Sequence, residues 1–230
     1  MENVIDKKIL DVRELAPPER HPRIMETFAG LGPGESFVLV NDHEPRPLLY
    51  QFQIEHDGEF EWWPLERGPG AWRVMIEKRE NQDPNRTVTD YLQTDHRRLD
   101  GILERFQEEV NENKWAEASR DFREFSLGLK RHINAEEEIL FPLFEEKTGM
   151  HDAGPTAVMR MEHKDIKELI DRTLDAAESG DGARTREAKD ALIMILADHN
   201  MKEEHILYPE SDSFLTDDQR TAVVKKAQAL

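Results

Sequence analysis

Hydrophobic and polar residues follow two different rules along this chain. Up to about residue 80, short apolar runs rich in aromatic and β-branched side chains alternate with turn residues, which is how half-buried strands read. Four such runs stand out: Ile9–Val12, Phe37–Val40, Phe60–Trp63 and Trp72–Ile76. Between the first two, His21–Leu31 carries apolar residues at helical spacing, and Arg46–His56 does so before the third. Gly32-Pro33-Gly34 and Gly68-Pro69-Gly70 punctuate as turns. The order βαβαββ predicts a small two-layer α/β sandwich over residues 1–80.

From residue 88 the period changes to 3.6. The polar stretch before it, with Pro84 inside, reads as a linker over residues 81–87. Thr87-Val88-Thr89-Asp90 has the pattern of a capped helix start. The pattern predicts helices at 88–111, 115–146, 154–179 and 183–208, with a short fifth at 216–229. Asn111-Glu112-Asn113, Lys147-Thr148-Gly149 and Gly180-Asp181-Gly182 carry helix-stop chemistry. Long helices joined by short loops must run antiparallel, so residues 88–230 are expected to form an up-down-up-down four-helix bundle.

The bundle is internally repeated. A shift of 67 positions lays His132–Pro142 (HINAEEEILFP) on His199–Pro209 (HNMKEEHILYP), and Asp95–Asp100 on Glu162–Lys167. The same shift superposes His96 on His163, His132 on His199 and Glu136 on Glu203. A duplicated helical hairpin explains this.

In an antiparallel hairpin, two residues equally far from the turn lie at one height. The midpoint of His96 and His132 is 114, that of His132 and His163 is 147.5, and that of His163 and His199 is 181, each at a predicted turn. All four histidines are thus placed on one level. Glu136 and Glu203 follow a histidine by four residues, one turn on and about 40° round, so each pair can reach one ion. Glu137, Glu138, Glu204 and His205 point elsewhere by the same geometry and read as helix surface. Leu92, Met159, Leu99, Ile166, Leu129, Leu196, Ile139 and Ile206 have the phase of a dry surrounding shell. Burying such polar groups without partners would cost several kcal/mol each. Six nitrogen and oxygen donors without sulfur suit a pair of iron or manganese ions bridged by the two carboxylates.

Composition narrows the partners. A net charge of -18 disfavours nucleic acid and anionic membrane surfaces and favours cations. Zero cysteines exclude thiolate ligands, disulfides and persulfide chemistry. The charged N-terminus has no apolar signal core, and no run reaches the length of a membrane span, so a cytoplasmic protein is expected.

Over about residues 88–210 the chain resembles the hemerythrin-type (HHE cation-binding) family, on the strength of His96 followed by Leu99, HINAEEEILFP, Glu162-His163 and HNMKEEHILYP. The resemblance implies two non-haem iron ions, oxo- or hydroxo-bridged, with manganese a second choice, binding dioxygen or nitric oxide. His96, His132, His163 and His199 would be terminal ligands, with Glu136 and Glu203 as bridges. Oxygen-carrying members have a fifth histidine where this chain has Lys167, so the set of four histidines and two glutamates resembles instead the bacterial branch associated with nitrosative stress and repair of iron-sulfur centres. Asp100, the repeat mate of Lys167, is expected either to pair with it or to act as a seventh ligand. Glu162 is placed for a supporting or proton-relay role.

The N-terminal region resembles a small domain of uncharacterised function with a TusA-like fold. The resemblance rests on Asp11-x-Arg13, Arg20-His21-Pro22, Asn41-Asp42-His43-x-Pro45 with Leu48, and the aromatic segment Trp62–Trp72. The turn at Asp42 and His43 is a candidate for binding a ligand or partner, although an Asx-turn opening a helix explains it as well.

Together these readings predict a di-iron protein for sensing, scavenging or iron-centre repair, with a redox or iron-sulfur client protein as further partner. A di-iron oxidase or nitric-oxide reductase is the enzymatic alternative. An iron-storage protein or metal-stabilised adaptor is the structural one.

Overall fold

The computed structural model describes residues 8–80, 86–151 and 153–230. Residues 81–85 of the expected linker and the N-terminal residues 1–7 lie outside them. The chain divides into two compact units between Arg86 and Thr87.

The first unit has the elements β1 (Lys8–Asp11), α1 (Pro17–Ala29), β2 (Ser36–Asn41), α2 (Arg46–Glu55), β3 (Phe60–Arg67) and β4 (Trp72–Lys78). The βαβαββ order predicted from the sequence is the observed one. β1 pairs in parallel with β2, and β4 lies between β2 and β3, antiparallel to both. Because side chains alternate across a strand, Phe37 and Leu39, Val74 and Ile76, and Phe60 and Trp62 share one face. They pack there with Ile24 and Phe28 of α1 and Leu48, Leu49 and Phe52 of α2.

The second unit comprises α3 (Val88–Asn111), α4 (Trp115–Ala135), α5 (Phe141–Thr148), α6 (Pro155–Glu178), α7 (Gly182–Lys202), α8 (Tyr208–Phe214) and α9 (Asp217–Gln228). The Thr87 side chain caps α3 by accepting from the Asp90 amide at 3.0 Å, and Asp181 caps α7 through the Arg184 amide at 3.1 Å. Gly149 ends α5 in the left-handed region at φ 74°, where a residue without Cβ adopts the conformation at little cost. α3 packs on α4, α4 on α6, α6 on α7 and α7 on α3, so α3 and α6 stand at opposite corners. Towards the 111–114 and 179–182 turns the interior is filled by Leu103, Phe106, Val110, Phe122, Phe125, Ile170 and Leu192.

The structure departs from the sequence reading at the same place in each repeat. The helices expected at 115–146 and 183–208 are each interrupted by one wide π turn, Glu136–Leu140 and Glu203–Leu207, and then continue to Thr148 and Phe214. The Phe141 amide donates to the Glu136 carbonyl, and the Tyr208 amide to that of Glu203. Pro142 and Pro209 are the local cause. A proline inside a helix has no N–H and its ring collides with the carbonyl four residues back, a conflict that one extra residue in the turn relieves.

The wide turn also corrects part of the expected apolar shell. Ile206 is 56% exposed and Ile139 only partly buried, whereas Leu140 and Leu207 are 1% exposed. One residue added to the turn advances the inward position by one. The remaining members expected in that shell, Leu92, Leu99, Leu129, Met159, Ile166 and Leu196, are buried.

Candidate metal centre

Four helices and two π turns bring six polar side chains into the middle of the bundle: His96 from α3, His132 from α4, His163 from α6, His199 from α7, and Glu136 and Glu203 from the turns. None is more than 3% exposed. Their donor atoms fall into two groups, one of Glu136, His163, His199 and Glu203, the other of His96, His132 and Glu203, with Glu203 in both. In the first group His199 Nε2 approaches Glu203 Oε1 to 3.0 Å, and His163 Nε2 lies 3.3 Å from Glu136 Oε2 and 3.7 Å from Glu203 Oε1. In the second, the Nε2 atoms of His96 and His132 are 3.0 Å apart, and His96 Nε2 lies 3.5 Å from Glu203 Oε2. Donors held about 2.0–2.1 Å from a common ion stand roughly 3–3.5 Å apart, which is the spacing seen.

Every inward Nε2 is set by a carboxylate on the other side of its ring. His132 Nδ1 donates to Asp95 at 3.1 Å, His96 to Glu204 at 2.7 Å, His163 to Glu137 at 2.9 Å and His199 to Glu162 at 2.9 Å. The four acids are themselves related by the repeat, Asp95 with Glu162 and Glu137 with Glu204. A carboxylate on Nδ1 fixes the tautomer that leaves Nε2 free to bind a metal, and it raises the basicity of the ring. Cations anchor three of these acids. Asp95 takes Arg131 at 2.7 Å and Arg98 at 2.8 Å, Glu162 takes Lys202 at 2.5 Å, and Glu137 takes Lys167 at 3.3 Å.

Protons and carboxylates balance one another in the core. Burial opposes charge on His96 and His163, yet the carboxylates beside them, Glu203 and Glu136 for both and Glu204 for His96, push both imidazoles up to about 10. His199 is raised for the same reasons. Glu203, wholly buried, is nevertheless held well below the usual carboxylate range by His163, His199 and His96. A cation entering here replaces those protons, as metal binding to imidazole and carboxylate requires.

Three inward atoms, Glu136 Oε2, His163 Nε2 and Glu203 Oε1, are buried without a hydrogen-bond partner among the described residues. Such orphans cost about 1–3 kcal/mol each. Metal coordination satisfies all three together, so the donor set fits a metal cation.

Sequence reasoning placed Glu137 and Glu204 on the surface, and this is corrected: each is the acceptor for a histidine on a neighbouring helix. Asp95 and Tyr208 were passed over. The signal for Asp95 was an acid directly before a histidine in both repeats, and for Tyr208 it was the exchange of Phe141 for Tyr208 within the matching ending Ile-Leu-x-Pro of the two motifs. The Tyr208 hydroxyl donates to Glu136 Oε1 at 2.7 Å, with Glu203 Oε2 at 3.0 Å and His132 Nε2 at 3.1 Å. Burial and the two carboxylates raise its pKa well above that of a free phenol. Phe141 instead stacks on His163, ring centroids 5.7 Å apart.

The expected Asp100–Lys167 pair does not form. α3 and α6 are diagonal, so repeat mates on them face opposite sides, and Lys167 reaches Glu137 on the adjacent π turn. Asp100 is exposed and belongs to neither donor group, against its expectation as a seventh ligand. In the first unit, Asp42 accepts from Arg20 at 2.8 and 3.1 Å and from His43 at 2.5 Å, which holds its carboxyl at about 2. The local side-chain bond that shapes this turn comes from Asn41, whose amide donates to the His43 carbonyl at 3.0 Å.

The fold and this constellation define a cation-binding helical bundle. The family profile of the hemerythrin HHE cation binding domain matches residues 87–211, more than half of the chain, which therefore belongs to that family. Residues 9–78 match a second family, described as an uncharacterized conserved protein (DUF2249). Among curated relatives, the chain is 32% identical over 91 residues to the iron-sulfur cluster repair protein YtfE of Enterobacter sp. (strain 638), covering 36% of this chain and 41% of that one. It is 49% identical over 43 residues to the protein of the same name from Edwardsiella ictaluri (strain 93-146), 19% of this chain and 20% of that one. The chain thus spans between a fifth and about two-fifths of the length of these relatives. No solved structure matches significantly. Among the described residues no helix is long and apolar enough to cross a membrane.

Proposed function

We propose that this protein is a non-haem di-iron protein that binds nitric oxide or dioxygen and serves in the repair of iron centres, with an iron-sulfur protein as client. The observation that carries the reading is the buried set of four imidazoles and two carboxylates with three partnerless inward atoms. The curated relatives named as iron-sulfur cluster repair proteins support the same direction.

His96 and His132 would hold one iron together with Glu203, and His163 and His199 the other together with Glu136 and Glu203. The iron pair supplies open coordination positions and a change of redox state. Asp95, Glu137, Glu162 and Glu204 hold the four rings in the ligating tautomer. Leu99, Leu129, Ile166 and Leu196 keep bulk water from the site, so the electrostatic attraction of donor for cation is little screened. The test is an anaerobic titration of the reduced, iron-loaded protein with nitric oxide and, separately, with dioxygen. New visible charge-transfer bands with at least one gas are expected; their absence with both overturns the reading.

A di-iron oxidase or nitric-oxide reductase is the second reading, favoured by one feature. Glu162 is 21% exposed and bonded both to His199 and to Lys202, so it joins the surface to a buried ring. Many turnovers per iron pair with a supplied reductant would select this enzyme; a single stoichiometric reaction would select the binder.

A further inference from the structure

The two donor groups are unequal. His163, His199, Glu136 and Glu203 make four donors, whereas His96, His132 and Glu203 make three. The shortfall is matched by a group of a different chemical type. Tyr208 begins α8 directly after the second π turn, and it is fully buried. Its hydroxyl oxygen lies 3.1 Å from His132 Nε2, 3.5 Å from His96 Nε2, 3.0 Å from Glu203 Oε2 and 2.7 Å from Glu136 Oε1. Those are the same spacings that separate the imidazole and carboxylate donors from one another. A single phenol proton accounts for one of these contacts as a hydrogen bond, whereas the oxygen meets four donor atoms, from three other helical segments and its own, within 3.5 Å.

We propose that Tyr208 is a protein ligand at the His96–His132 position, its oxygen bound to ferric iron as a phenolate. This rests on the di-iron reading above and deepens it, because the repeat mate of Tyr208 is Phe141, which has no donor atom and stacks on His163. The duplicated hairpin then holds two chemically distinct irons, one with a phenolate donor and one with carboxylate as its only anionic donor. Ligation is balanced simply: as an added one-electron oxidant such as ferricyanide takes an electron from the ferrous ion, the phenol O–H bond breaks, the oxygen–iron bond forms, and the proton leaves along the hydrogen bond to Glu136 for solvent. Iron accepts tyrosinate elsewhere in proteins, as the haem of catalase shows. Phenolate is a stronger donor to ferric iron than carboxylate and lowers the potential of the iron it binds, so the His96–His132 position is the one that stays ferric.

The experiment uses the full chain, loaded anaerobically with two ferrous ions and then oxidised with ferricyanide. A phenolate-to-iron charge-transfer band is expected. Resonance Raman excitation within it should show tyrosine ring modes that shift when the protein is made with ring-deuterated tyrosine. The chain has three tyrosines, Tyr50, Tyr91 and Tyr208. Tyr208→Phe should abolish the band and its ring modes, while Tyr50→Phe and Tyr91→Phe keep both. If Tyr208→Phe does not fold or hold iron, retention of the modes in both other variants still leaves Tyr208 alone as their source. Two bound irons without tyrosine modes, or modes that survive in Tyr208→Phe, would overturn the assignment and leave the di-iron reading intact. A wild-type protein that binds no iron would instead overturn the reading beneath it.

Discussion

The two halves of the bundle are copies that have drifted apart at their centre. Each contributes a histidine preceded by an acid, a second histidine with a glutamate four residues on, a further glutamate beside that one, and a proline that opens a π turn. The positions therefore coincide, and so does the crossed pattern of support, in which Glu204 of one half holds His96 of the other and Glu137 returns the contact to His163. What differs is the environment. Around His163 stand Lys167, paired with Glu137, and the inert ring of Phe141. Around His96 and His132 stand Tyr208 and the buried triad of Asp95, Arg98 and Arg131. Duplication supplies donors in symmetric pairs, and a few substitutions suffice to make the two donor groups unequal without moving a helix.

The severest way to break this comparison is to remove what the halves share. Glu203→Ala is expected to abolish binding at both positions, because Glu203 alone belongs to both donor groups, and metal analysis should find close to no iron per chain. In the metal-free protein the same change takes a carboxylate from three buried imidazoles. Breaking a buried pair costs about 3–5 kcal/mol, so urea unfolding should show a large loss unless the imidazoles give up their protons.

His132→Ala and His163→Ala are the next step down. Each should leave one ion of two, at opposite positions, and the two variants should therefore give different spectra at equal iron content. Equal spectra would show that the halves are equivalent after all.

The supporting acids give a smaller, sharper test. Loss of a carboxylate behind a metal-bound histidine typically lowers metal affinity about 10–100-fold. Asp95→Asn and Glu162→Gln, mates under the repeat, should each weaken iron binding in that range when measured by competition with a chelator. Asp95→Asn should also destabilise the metal-free fold more, since it alone leaves Arg131 and Arg98 facing a neutral amide in the core.

The smallest effect is expected far from iron. Asp42→Asn should leave iron content unchanged. The Asp42 carboxyl is depressed by Arg20 and His43, so the contribution of this contact is present at neutral pH and is lost only as pH falls towards about 2. A carboxyl-carbon NMR titration of Asp42 that turned near its ordinary value would contradict this.

The reach of the sequence differed from one feature to the next for physical reasons. Helix periodicity and the 67-residue repeat placed four histidines at one height, since antiparallel rods leave few choices of register. The order of elements in the first unit was readable because its apolar runs are short and its turns are marked by glycine and proline. Glu137, Glu204, Ile139 and Ile206 stand elsewhere than the sequence predicts because a uniform helix does not run through Pro142 and Pro209; the inward positions pass to Leu140 and Leu207. Asp95 and Tyr208 each left a signal in the repeat, but the partners that define their roles depend on which helix stands beside which.

By itself, then, the amino-acid sequence determined the elements, the duplication and the residues able to carry metal chemistry, because these follow from local periodicity and from the chemical nature of side chains. The tertiary structure alone decided which acid supports which histidine, that Lys167 serves Glu137 instead of Asp100, and that a phenol meets one half of the centre. Those outcomes depend on distances of about 3 Å between residues far apart in the chain, and such distances are set only when four helices pack and two of them widen by a turn.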